Sequence, residues 1–136
     1  MEILGLNASI RILGANTEIK CVETLRISLE PADLATGIQC FAGKIHTAIC
    51  DALYEIQGQN GRINNTICLD VTTCGGDLLG YRENILAEPS KELWEEVAAK
   101  ADKVVNELTR DLAHSIIYHP QFQTQRISRR PSVQRK

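Results

Sequence analysis

The sequence predicts an α+β fold: a two-layer sandwich in which a four-stranded antiparallel sheet carries two long helices, in the order ββαββα. Three observations predict it. Four segments alternate apolar and polar residues with period two, and two segments repeat apolar residues every three or four positions. Glycine, asparagine and proline fall between these segments, where turns and caps need them.

The even positions Leu4, Leu6, Ala8, Ile10 and Ile12 make a first strand with one buried face. Gly14-Ala15-Asn16 supplies a turn, and Ile19, Cys21, Leu25, Ile27 and Leu29 continue into a second strand of the same hairpin. Glu23 interrupts that apolar side, which predicts a bulge or an edge position near it. Pro31 suits a first helical turn, and Leu34, Ile38, Phe41, Ile45, Ile49, Leu53 and Ile56 extend one helix from about Pro31 to Gln57. Gly37 and Gly43 fall off its apolar stripe. Ile63, Ile67, Leu69 and Val71 form one face of a third strand, and Cys68, Asp70, Thr72 and Cys74 the other. Gly75-Gly76-Asp77 turns into a fourth strand carrying Leu79, Tyr81 and Ile85. Pro89 and Ser90 open a second helix, whose stripe of Leu93, Val97, Ala101, Val104, Leu108 and Leu112 predicts an end near Tyr118. Leu29-Glu30-Pro31 and Glu88-Pro89 echo each other ahead of the two helices, by duplication of a ββα unit or by coincidence.

The chain of 136 residues divides into a single domain over 1–120 and a basic tail over 121–136. The formal charge of −2 conceals an asymmetry: all 17 acidic residues precede the tail, whereas the tail holds Arg126, Arg129, Arg130, Arg135 and Lys136 and no acid. Its Gln, Ser, Pro and Arg content predicts disorder in isolation. As an electrostatic arm it suits an acidic partner, a neighbouring subunit or nucleic acid, or it serves only to keep the chain soluble. Aromatic residues make up only 4% of the chain, so sequence-specific base reading by the folded part is not expected. No apolar run reaches the ~18 residues of a membrane span. The first 14 residues lack a basic stretch followed by an apolar one, so no secretory signal is expected. Five cysteines without a Cys-x-x-Cys spacing predict reduced thiols in a cytoplasmic setting.

The two helices differ. The second has an ordinary wet face with Glu92, Glu95, Glu96, Lys103, Glu107 and Arg110. Opposite the core stripe of the first lie Thr36, Cys40, Gly43, Thr47, Cys50 and Tyr54, while Asp33, Lys44, Asp51 and Glu55 are confined to a narrow flank. Small uncharged residues let another backbone approach, and charged groups are depleted where surfaces become buried. Two readings follow: an interface with a second copy, a homodimer first, or a helix flanked on that side by its own partner helix.

Chemical motifs are sparse. His46 and Cys50 have a spacing that can share a metal, and Cys68, Asp70 and Cys74 can add ligands only if the fold unites the groups. Cys50 with His46, or Cys74 at its turn, lacks a third orienting group for nucleophilic chemistry. Gly37–Lys44 is one residue too long for a phosphate loop, and Ile45 stands where a hydroxyl must bind magnesium. Acids at a helix start answer to the macrodipole. The sequence therefore predicts no catalytic residue, no metal and no cofactor. The leading expectation is a non-enzymatic assembly module that homo-oligomerises through the first helix and carries a basic arm. The alternatives are a nucleic-acid-associated protein using the tail, and a binder or enzyme with a site between subunits around Cys68, Asp70, Thr72 and Tyr81.

Overall fold

A computed structural model of the chain describes residues 4–57, 61–73, 76 and 78–117. The strands are β1 (Leu4–Leu13), β2 (Ile19–Leu29), β3 (Ile63–Thr73) and β4 (Leu78–Ala87). The helices are α1 (Leu34–Gln57) and α2 (Leu93–Ile117). The order is ββαββα, as the periodicities require, and the sheet runs β2-β1-β3-β4 with every neighbour antiparallel. Leu6, Ala8, Ile10 and Ile12 of β1 and Ile63, Ile67, Leu69 and Val71 of β3 share one buried core with the apolar stripes of both helices. The other face of the sheet mixes polar residues with exposed Val22, Leu78 and Leu86, as an antiparallel sheet open to water on one side permits.

Both helices begin slightly later than the prolines suggest. Pro31–Asp33 forms a short 3-10 turn ahead of α1. Ser90 lies outside α2, where its Oγ accepts the backbone N–H of Glu92 at 3.2 Å. Tyr118 and the whole tail lie outside the described residues. The first hairpin closes through Gly14 N–H to the Glu18 carbonyl at 2.7 Å, and the left-handed position falls on Thr17 at φ 64°. Glu23 sits on an edge strand, as expected, but the register shift occurs between Ile12 and Leu13.

Each half of the molecule repeats one ββα plan. A constant offset relates Leu34 to Leu93, Ile38 to Val97, Ala42 to Ala101, Ile45 to Val104, Ile49 to Leu108 and Leu53 to Leu112. The same offset relates Ala8, Ile10 and Ile12 to Ile67, Leu69 and Val71. With β1 and β3 antiparallel at the centre, the halves are arranged about a pseudo-twofold axis between them. The two prolines stand one position off that offset, which sets Pro31 against Ser90 rather than Pro89.

The glycines of α1 differ in kind. Gly43 faces open space, where an added Cβ meets nothing within 4 Å. Gly37, expected off the apolar stripe, instead lets the helix approach β2: a Cβ there would lie 2.5 Å from Cδ2 of buried Leu29. Gly43→Ala is therefore expected to stabilise the fold by about 0.5–1 kcal/mol, the helix-propensity gain alone. At Gly37 the same substitution adds an overpacking cost of about 1–3 kcal/mol, so a net loss is expected. Urea midpoints moving in opposite directions are the result to look for; movement in the same direction would contradict this packing.

Candidate functional site

The outward ridge of α1 is exposed along most of its length. Thr36, Cys40, Gly43, Thr47 and Tyr54 all lie open, and Cys50 is half-buried. At the corresponding places of α2 the pseudo-symmetric residues are Glu95, Ala99, Asp102, Asn106, Ala113 and, opposite Cys50, Thr109. The second helix thus carries charge where the first carries small or hydroxyl-bearing residues. Within the chain α2 covers only one flank of α1, so the ridge itself is not buried by the partner helix. Tyr54 is 67% exposed, although its ring lies 5.5 Å from that of Trp94 at the start of α2.

Between the helices, His46 Nε2 lies 3.0 Å from Oδ1 of Asp102 without an aligned hydrogen bond, and His46 Nδ1 is 3.9 Å from Sγ of Cys50. Asp102 is the third group that spacing within α1 could not reveal, because it arrives on α2. The trio still lacks what nucleophilic catalysis needs. Burial, then the charges of Asp51 and Asp102, push the Cys50 thiol above its ordinary range, which keeps it protonated at neutral pH. The backbone N–H groups around it belong to the helix and are not free to stabilise an oxyanion.

The other flank of α1 faces β2 across an open groove of about 720 Å³, lined by Glu23 and Leu25 of the strand and by Cys40, Gly43, Lys44, Thr47, Ala48, Asp51, Ala52 and Glu55 of the helix. The narrow charged flank seen in sequence is one wall of this groove. Glu23, which breaks the apolar alternation of β2, supplies the other. Glu23 and Glu55 both act on the Cys21 thiol, which is raised first by burial and then by these two carboxylates.

The equivalent flank of α2 is bridged by polar contacts. Tyr81 donates to Oδ2 of Asp111 at 2.9 Å, and Glu83 accepts from Lys100 at 3.0 Å with Lys103 at 3.5 Å. The hydrogen bond from Lys100, helped by both ammonium charges and opposed by burial, holds the Glu83 carboxyl below its ordinary value of 4.5. A lowered folded-state value stabilises the fold above the unfolded-state value and loses that contribution as pH falls through the folded one. Glu83→Gln is therefore expected to flatten the loss of stability below about pH 4.5. Thermal melts of both proteins from pH 6 to pH 3 test this; an unchanged acid limb would count against it.

On the open sheet face, Arg11 pairs with Asp70 at 3.3 Å. Exposed Arg26 and Arg82 share that face with Ser9, Thr24, Thr66 and Asn84, and Asp70 is the one carboxylate on it among the described residues. Cys68 is buried between Arg11 and Arg82, its cross-strand neighbours. The sheet therefore separates Cys68 and Asp70 from His46 and Cys50, and the two groups of potential metal ligands do not meet. Cys74 lies outside the described residues, among which no three His, Cys, Asp or Glu side chains form a metal site. Cys68, Asp70 and Thr72 do share a face, but Tyr81 points to the helical side and does not join them. Arg126, Arg129, Arg130, Arg135 and Lys136 lie outside the described residues.

Comparison of the chain with protein-family models, with curated proteins and with solved structures returns no match. Fold and surface define a class only: a two-layer α+β sandwich of two ββα halves, one of whose helices has an uncharged outward ridge. Among the described residues no helix is long and apolar enough to cross a membrane.

Proposed function

We propose that this protein is a non-enzymatic assembly module that self-associates through the outward ridge of α1, a dimer in the first instance, and carries its basic C-terminal segment as an electrostatic arm. The observation that supports this reading is the contrast between pseudo-equivalent helices. Thr36 and Gly43 of α1 are exposed and uncharged, where Glu95 and Asp102 stand on α2. Surfaces that become buried in association shed such charges, and small side chains permit close helix approach. A twofold contact would place Gly43 and Thr47 of each copy near the other's ridge.

Gly43→Arg and Thr47→Arg test it. Both positions are exposed, and no neighbour opposes a side chain at Gly43, so the variants are expected to fold normally. Light scattering across a concentration series is expected to give a multiple of the chain mass for the unaltered protein and roughly half that or less for the variants. A monomeric unaltered protein, or arginine variants that keep the full assembled mass, would defeat the reading.

Association with nucleic acid is a second reading, favoured by one observation: the open sheet face concentrates Arg11, Arg26 and Arg82 with hydroxyl and amide side chains, on a domain otherwise rich in acids. Phosphate neutralisation by that face and the tail makes binding fall steeply with salt. Gel shifts between low and high salt, with and without residues 121–136, measure it, and absence of any shift at low salt excludes it.

A further inference from the structure

The two outer flanks of the helical layer are built on one plan and finished differently. On the α2 side, Tyr81–Asp111 and the pairing of Glu83 with Lys100 and Lys103 tie helix to strand. By cross-strand register Glu23 beside Ile10 stands for Tyr81 beside Leu69 and Leu25 beside Ala8 for Glu83 beside Ile67, and Ala52 stands for Asp111 on the helix, so these polar ties have no counterpart. Asp51 and Glu55 replace Arg110 and His114 there. The result is the groove of about 720 Å³ with an apolar floor, three carboxylates and the single ammonium of Lys44. None of Glu23, Asp51 and Glu55 has a cationic partner among the described residues, whereas Glu83 has two. Beside the groove runs the outer edge of β2, which has no neighbouring strand among the described residues.

A complementary segment lies in the same chain. Residues 121–136 carry five cations and no acid. The helices are antiparallel, with Tyr54 against Trp94 and His46 beside Asp102. Ile117, at the end of α2, therefore lies toward the start of α1, where the groove's Cys40 end is nearest. Residues 118–125 extended reach roughly 26 Å, sufficient to pass the start of α1. The groove from Cys40 to Glu55 is roughly 22 Å long, which about seven extended residues cover.

We propose that the segment Arg126–Lys136 docks in the α1/β2 groove of its own chain, its arginines meeting Glu23, Asp51 and Glu55. This rests on the reading of the tail as an electrostatic arm and narrows its acidic partner to a named surface. Docking supplies from the tail the cations that Lys100 and Lys103 supply to Glu83 on the other flank. Cys40, Gly43 and Thr47 line this groove and also belong to the association ridge, so the docked arm shares part of the association surface.

Trypsin cleavage after Arg126 and Arg129 in the full chain is the test, with free peptide 121–136 in the same buffer as reference. Cleavage of a docked arm follows its undocked fraction, so at low salt the full chain is expected to be cut about tenfold or more slowly than the peptide. That protection is expected to vanish near 0.5 M salt, by screening on the order of a few ångströms. It is also expected to vanish in the Glu23→Gln/Asp51→Asn/Glu55→Gln variant, with circular dichroism confirming its fold. The control Glu92→Gln/Glu95→Gln/Glu96→Gln is expected to retain it. Protection should not depend on protein concentration. Cleavage at the peptide's rate, protection surviving groove neutralisation or lost in the control, or protection appearing only at high concentration would each overturn the proposal. Light scattering on the same samples keeps the two readings apart, since a monomeric protein with a protected arm defeats association alone.

Discussion

Phe41→Ala is expected to lower the free energy of unfolding by about 3–5 kcal/mol, the cost of losing a buried ring and leaving a cavity. Phe41 is 1% exposed and is the one aromatic residue within the buried core cluster among the described residues. Its pseudo-equivalent on α2 is Lys100, which turns to Glu83, so the second half has no ring at this place. With the rest of the core built from aliphatic side chains, nothing of similar size is available to fill the space. Such a loss is a large share of the 5–15 kcal/mol typical of a domain. Chemical unfolding monitored by circular dichroism should show a lower midpoint with an unchanged slope. A loss below about 1 kcal/mol would mean that the core collapses freely around Phe41, contrary to close packing.

The second large effect is expected at a polar residue. Asn65 lies in the core face of β3 at 8% exposure, and its side-chain amide donates to the Leu13 carbonyl at 3.0 Å. That carbonyl sits where the β1–β2 register shifts, between Ile12 and Leu13, and Asn65 satisfies it from the neighbouring strand. Asn65→Ala removes this buried hydrogen bond and is expected to cost about 1 kcal/mol or more. Thr72→Ala, on the exposed face of the same strand, is expected to change stability by no more than about 0.5 kcal/mol. Equal effects at the two positions would remove the hydrogen bond's claim to importance.

Asn65 also shows where reading the sequence stops. The alternation of Ile63, Ile67, Leu69 and Val71 is visible without any structure, and Asn65 falls on their side of the strand. Its type gives no reason to expect burial, because the carbonyl it serves is 52 positions away in sequence. Gly37 is a parallel case. Helical projection places it beside the stripe, yet its lack of a side chain matters because Leu29 of β2 packs against it. The candidate ridge of α1 was legible, since Thr36, Cys40, Gly43, Thr47 and Tyr54 follow from projecting a single helix, and all five are exposed. The groove beside it was half legible. Lys44, Asp51 and Glu55 form a visible flank, and Glu23 is a visible break in β2, but nothing local sets one against the other.

By itself the sequence determined the elements, their order and which side of each is apolar. Those properties follow from residue spacing of two or about 3.6, and every residue needed is a near neighbour in the chain. Tertiary structure alone decided the strand order, the pseudo-twofold arrangement of the halves, and the pairing of Arg11 with Asp70, His46 with Asp102 and Tyr81 with Asp111. It also decided that one flank of the helical layer is bridged by polar contacts while the other stays open. These are contacts between elements. They depend on which strand lies beside which and on how each helix is set across the sheet, and periodicity within an element carries no record of either.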